Sequence, residues 1–149
     1  MDNEKQRKIE ALLARPILAR LASASPSGQP HVVPVWFLWE EGTAWISSYR
    51  STRKVKDLRR NPKCALVVDL PKARNGITAV LLEGEVELLA GSRPEASPRA
   101  LSRAVRLRIE RLYLKYLGPK GILKNEPQEW LNSPKNLLIK LTPKKVASW

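Results

Sequence analysis

The chain has 149 residues, enough for one domain with a real core, and 27 Lys and Arg against 14 Asp and Glu give a net charge of +13. One cysteine, Cys64, excludes an intrachain disulfide, and with a single histidine, His31, it leaves no Cys/His cluster for tetrahedral zinc. The basic field attracts anions, so nucleic acid, phosphorylated cofactors and anionic membrane surfaces all fit the charge.

Residues 3–14 carry Ile9, Leu12 and Leu13 on one side and read as a short amphipathic helix that Pro16 ends. Glu10, Arg15 and Arg20 interrupt this apolar stretch. That pattern excludes a signal peptide or a membrane span and predicts a cytoplasmic location. A strand is expected at 17–24, a turn at 25–29 (Ser-Pro-Ser-Gly-Gln), and a second strand at 31–39, rich in β-branched and aromatic residues. Pro34 cannot donate to a ladder, so it marks an edge, a bulge or a break in pairing. Residues 40–43 close a hairpin onto a strand at 44–48.

A helix is predicted over 51–61, with Ser51 as N-cap and Asn61-Pro62 as its stop. Arg53 and Lys54 then occupy N2 and N3, at the positive end of the helix dipole, where Asp or Glu is favoured. A capping box would carry Glu or Gln where Lys54 stands. Two cations, several hydroxyls and unpaired backbone N–H groups converging there suit an anion such as phosphate. A solvated basic helix start is the other reading of the same spacing.

Residues 63–70 form a nearly all-apolar strand with Cys64 as a small buried hydrophobe, and 71–76 a loop. Residues 77–89 alternate with period two: Val80, Leu82, Gly84, Val86 and Leu88 on one face, Glu83, Glu85 and Glu87 on the other. After a turn region at 91–98, a helix over 99–117 carries the stripe Leu101, Ala104, Val105, Ile109, Leu112 and Tyr116. Gly118-Pro119 ends it. A helical turn is expected near 128–131, a last strand at 136–142 and an extended tail at 143–149. Trp36, Trp39 and Trp45 are expected in the core or a dimer interface, and Trp149 near a ligand groove or a partner subunit.

Strands joined mostly by short turns, with single helices inserted and no linker, predict one domain over 1–149. Its class is mainly β, a small antiparallel barrel with helices packed outside. There is no Gly-x-Gly-x-x-Gly and no Walker loop, so in an enzyme the hard chemistry would fall to a cofactor. His31, lone in a strand, reads as structural.

The order of motifs is Gly28-Gln-Pro-His-Val-Val-Pro-Val-Trp-Phe, a hairpin, Ser-x-Arg-Ser-Thr-Arg-Lys ending at Lys54, Leu58-Arg-Arg-Asn-Pro, and an apolar strand. This order resembles the pyridoxamine 5′-phosphate oxidase-like FMN-binding split β-barrel family over about residues 8–90. It looks closest to the flavin- and deazaflavin-dependent oxidoreductases of that family. The resemblance implies a six-stranded antiparallel split β-barrel of Greek-key type with external α-helices. It also implies a homodimer, with the cofactor in a groove between subunits. Arg53 and Lys54 would bind the cofactor phosphate, with Ser47, Ser48, Ser51 and Thr52 as hydroxyls around it. Val35, Trp36 and Phe37 would lie against the ring system, mostly through backbone atoms. The pyridoxamine phosphate oxidases proper carry Arg-x-Val-Leu-Leu-Lys where this chain has Pro34-Val-Trp-Phe-Leu-Trp, and their basic C-terminal substrate signature is missing, which argues against vitamin B6 oxidation.

The implied cofactor is FMN or the 5-deazaflavin coenzyme of F420 type, with no metal. Lys56, Arg59 and Arg60 suit the polyanionic oligoglutamate tail of the deazaflavin. The implied activity is hydride transfer to or from a small organic substrate through the ring's C5 (N5 in FMN), with no acid–base side chain assigned. A carrier or sensor of flavin, deazaflavin or haem on the same fold is an alternative. A basic β-barrel that binds nucleic acid is a further one. Against it, Trp36, Phe37, Trp39 and Trp45 sit in core-like strands and form no surface stacking ladder.

Overall fold

The computed structural model describes residues 3–74, 76–89 and 103–149. Seven strands make one antiparallel sheet: β1 (Ala19–Ala24), β2 (Pro30–Val35), β3 (Leu38–Glu40), β4 (Thr43–Tyr49), β5 (Lys63–Arg74), β6 (Ile77–Leu89) and β7 (Asn136–Ser148). Their order is β2-β1-β5-β6-β7-β4-β3, and the sheet is not closed. Four helices accompany it: α1 (Asn3–Leu13), α2 (Arg53–Arg60), α3 (Arg103–Gly121) and α4 (Asn125–Asn132). The fold is a split barrel with flanking helices.

The expected count was six strands. The seventh arises because the single strand expected at 31–39 is two strands, β2 and β3, separated by Trp36 and Phe37. These two strands are the opposite edges of the sheet. The sheet therefore curls until its edges lie two residues apart, and the chain bridges the split covalently at Trp36-Phe37. Pro34 lies in β2, an edge strand, as its missing N–H requires.

Other boundaries also differ from expectation. The loop expected at 71–76 is mostly strand, since β5 runs on to Arg74. A register shift between Asp69 and Arg74 absorbs Pro71. The tail expected at 143–149 is likewise strand, because β7 continues to Ser148 with a bulge opposite Glu83 and Gly84. A Cβ on Gly84 would stand 2.7 Å from the carbonyl oxygen of Thr142, so this close crossing of β6 and β7 demands glycine. In α3, Val105, Ile109 and Leu112 are buried as expected, while Ala104 is exposed and Tyr113 takes a buried place. Gly118, at φ +73°, breaks the helix before a last short turn. The turn expected at 91–98 and Leu101 lie outside the described residues.

The main core fills the curl of the sheet, with Leu21, Phe37, Ile46, Leu66, Leu82 and Ile139 fully buried. Helix α1 adds Ile9, Leu12 and Leu13; α2 adds Val55 and Leu58, one turn apart on its inner face. Each such side chain contributes about 1.5–3 kcal/mol by leaving water, which is what fixes the start of α2 against the sheet. A second cluster packs Ile109 and Leu112 of α3 and Leu131 of α4 on Trp45 and Leu138. Among the described residues, no helix is long and apolar enough to cross a membrane.

Candidate functional site

The split in the sheet opens into a cleft. A cavity of about 380 Å³ lies between Leu18, Val35 and Trp36 on one side and Ser47, Lys54 and Tyr113 on the other. A second cavity of about 240 Å³ adjoins it, lined by Ser48, Thr52 and Asn136, and shares Ser47, Lys54, Tyr113 and Trp130 with the first. One compartment is aromatic and apolar; the other is rich in hydroxyls and meets the start of α2.

That start is shifted by one residue from expectation. Thr52, with extended backbone (φ −70°, ψ 151°), is the N-cap, so Arg53 and Lys54 are N1 and N2. Thr52 caps no backbone N–H with its side chain. Its hydroxyl donates to the Tyr49 carbonyl at 3.0 Å and pairs with Ser48 Oγ at 3.1 Å. Ser51, the expected cap, is exposed and lines neither compartment. The unpaired N–H groups of the first turn are thus left for a partner other than the cap.

The two cations part company. Lys54 reaches both compartments, is half-buried, and makes no ion pair among the described residues. Burial holds its ammonium below the usual lysine range. Arg53 runs along the helix instead, its Nε 3.6 Å from Asp57 Oδ2, with its side chain half exposed. The structure therefore brings Lys54, but not Arg53, into the cleft.

A closed ring of hydrogen bonds forms one wall. Ser47 Oγ donates to Asn136 Oδ1 at 2.6 Å, Asn136 Nδ2 donates to the Tyr113 hydroxyl at 3.1 Å, and the Tyr113 hydroxyl lies 3.3 Å from Ser47 Oγ. The other Asn136 N–H goes to the Trp130 carbonyl. Burial pushes the Tyr113 phenol above its usual range, against the hydrogen bonds from Ser47 and Asn136. Ser47, expected as a hydroxyl around an anion, has its proton committed to Asn136. The aromatic side is equally fixed. Trp36 stacks on Tyr116 at 4.9 Å with planes 5° apart, and meets the edges of Tyr113 and Trp130 at 6.3 and 6.5 Å.

Of the remaining site candidates, Val35 and Trp36 line the cleft, while Phe37 is fully buried in the core beneath it. Tyr113, Trp130, Asn136 and Leu18 belong to the site and were not singled out in the sequence. Tyr113 had a signal, since it sits three residues before Tyr116 on one helix. His31 lies on the edge strand β2, and neither compartment includes it. Trp149 is hooked by its backbone to Thr78 and Ala79 and lines a cavity with Arg20 and Asp69, not the 51–54 corner. Among the described residues, no three His, Cys, Asp or Glu are arranged to hold a metal.

Solved structures share this architecture. A conserved hypothetical protein from Mycobacterium tuberculosis is 20% identical with a TM-score of 0.73, over 100% of this chain and 84% of its own. An F420 reductase is 23% identical with a TM-score of 0.69, over 93% of this chain and 94% of its own. A pyridoxamine 5′-phosphate oxidase-related, FMN binding protein from Nostoc punctiforme is 18% identical with a TM-score of 0.61, over 95% and 76%. No curated protein sequence matches the chain. The model of one protein family, pyridoxamine 5′-phosphate oxidase, matches residues 6–149. By that match over nearly its whole length, the chain belongs to the pyridoxamine 5′-phosphate oxidase family.

Proposed function

We propose that the chain is an oxidoreductase that binds FMN or an F420-type 5-deazaflavin in this cleft, as a homodimer, and acts on a small organic substrate. The observation that carries the reading is Lys54. A half-buried ammonium with no carboxylate partner among the described residues, beside the N–H groups that open α2, stands where a phosphate would complete it. The neighbouring compartment, lined by Leu18, Val35, Trp36, Tyr113 and Trp130, offers apolar and aromatic surface to a planar ring. When bound, either cofactor supplies the hydride-carrying centre. The chain binds its phosphate through Lys54, orients its ring along the Val35–Trp36 backbone and excludes water with the aromatic wall. Ser48 and Thr52 already hydrogen-bond one another and can turn their hydroxyls to the phosphate. The exposed Lys56, Arg59 and Arg60 on α2 favour the deazaflavin, whose oligoglutamate tail they would meet. Exposed Leu18, just before β1, and Val32, on β2, offer apolar surface to a second copy.

The test is titration of the protein with FMN and, separately, with the deazaflavin, followed by tryptophan fluorescence. Lys54→Ala is expected to lose about 1.5–3 kcal/mol, roughly 10- to 150-fold in affinity. Arg53→Ala should lose less, because Arg53 leans on Asp57. Absence of binding to either cofactor, with tight salt-sensitive binding to DNA, would overturn the reading.

A further inference from the structure

Phe37 poses a problem that the sheet does not solve. It is fully buried, yet it sits between the two edge strands, where no ladder reaches its N–H or its carbonyl. Buried backbone polar groups without partners are costly, so something else must pair them. Two adjacent side chains of α3 do so. The Tyr116 hydroxyl accepts from Phe37 N–H at 3.1 Å and donates to the Ile17 carbonyl at 2.9 Å. Lys115 Nζ donates to the Phe37 carbonyl at 2.9 Å and to the Leu13 carbonyl at 3.0 Å. Its ammonium also stands 3.7 Å from the centre of the Phe37 ring.

Lys115 has no carboxylate partner among the described residues, so surface ion pairing does not explain its burial. Its donors are spent on carbonyls from two separate segments of the chain. One is the end of α1 and the other is the break in the sheet. The Tyr116 ring meanwhile lies flat on Trp36, the residue whose other contacts are the cleft aromatics. One turn earlier, Leu112 and Tyr113 of the same helix line the cleft directly.

We propose that Lys115 and Tyr116 are positioning residues of the cofactor cleft: by clamping the Trp36–Phe37 break to α3 they set the orientation of Trp36 and the width of the split. The proposal rests on the cofactor reading above for its functional half, and on the hydrogen bonds to Phe37 for its structural half. Neither side chain touches the cleft contents. Both act through Trp36 and the backbone that follows Val35.

The experiment compares wild type with Tyr116→Phe, which keeps the ring on Trp36 and removes the hydroxyl, and with Lys115→Met. Val80→Ala, a cavity in the central strand β6, serves as a control for simple loss of stability. Exchange of the Phe37 amide is read by NMR in the cofactor-free protein, and affinity for FMN and for the deazaflavin is read by fluorescence. Tyr116→Phe should speed exchange at Phe37 by about tenfold or more and weaken cofactor binding by about tenfold, the order of one lost hydrogen bond. Lys115→Met should weaken binding similarly, and Val80→Ala should move neither readout. Wild-type exchange at Phe37 in Tyr116→Phe overturns the clamp. Faster exchange with unchanged affinity overturns its role in binding, as does an equal response to Val80→Ala. If wild type binds neither cofactor, the functional reading fails, and the clamp stands or falls on the exchange.

Discussion

Ser47 and Asn136 lie 89 residues apart in the chain and are joined by a 2.6 Å hydrogen bond at the wall of the cleft. Asn136 is 1% exposed and serves Ser47, Tyr113 and the Trp130 carbonyl at once. Asn136→Ala would remove one hydrogen bond from each of the three, leaving Ser47 and Tyr113 only their long 3.3 Å contact and the Trp130 carbonyl only the Ser133 N–H. The expected cost is about 3 kcal/mol, seen as a melting temperature lower by roughly 10 °C. A melting temperature within a degree or two of wild type would show that the ring of hydrogen bonds carries no weight.

Lys115 gives the protein an unusual response to alkali. Burial lowers its pKa from 10.5 to about 8. Between those values the unfolded chain binds a proton at Lys115 that the folded chain has released. Stability from this group therefore rises as pH goes from about 8 to 10.5, the opposite of a lysine in an ion pair. Cys64 and Tyr116, both pushed up to about 12 by burial, act the other way, losing stability as pH rises above 9 and 10 respectively. The difference between wild type and Lys115→Met isolates the lysine. Denaturant unfolding at pH 7.5 and 10 should show wild type gaining on the variant, and a constant difference would contradict this.

At Gly84 the sheet leaves no room for a side chain. Gly84→Ala puts a carbon 2.7 Å from a backbone oxygen of β7 and forces the strands apart at their bulge. A loss of about 1–3 kcal/mol is expected in chemical denaturation. An alanine variant as stable as wild type would mean that β7 shifts without penalty.

Cys64 should be inert in the native protein. It is 9% exposed, and its thiol is pushed up to about 12, so little thiolate forms near neutral pH. A maleimide should label it at the rate of unfolding, and much faster in denaturant. Rapid stoichiometric labelling of the folded protein would count against this picture.

Local patterns carried much of the fold and half of the site. The alternation over 77–89 gave β6 almost to the residue, and Pro34 announced an edge, because both signals depend on neighbours in sequence. Lys54 was legible for the same reason: its oddity is local to one helix turn. The cap fell on Thr52 and not Ser51, two adjacent residues with equal capping chemistry that local rules cannot separate. What escaped was long-range. Tyr113, Trp130 and Asn136 join the cleft through contacts across 66 and 89 residues. The extension of β5 and β7 past Pro71 and Pro143 depends on bulges that the partner strands set. The division of residues 31–39 into two edge strands follows from how far the whole sheet curls, which no window of nine residues encodes.

The bridge at Trp36-Phe37 also bears on how the open sheet avoids pairing with foreign strands. An open sheet offers two rows of unpaired backbone groups on which a foreign strand can grow. Here one row belongs to a strand of three residues, β3, and the other to β2, whose Pro30 and Pro34 have no N–H to offer. Both rims are blunt templates. The sheet can thus remain split without becoming a seed for aggregation, and replacing the two prolines with valine should raise fibril formation before it disturbs the fold.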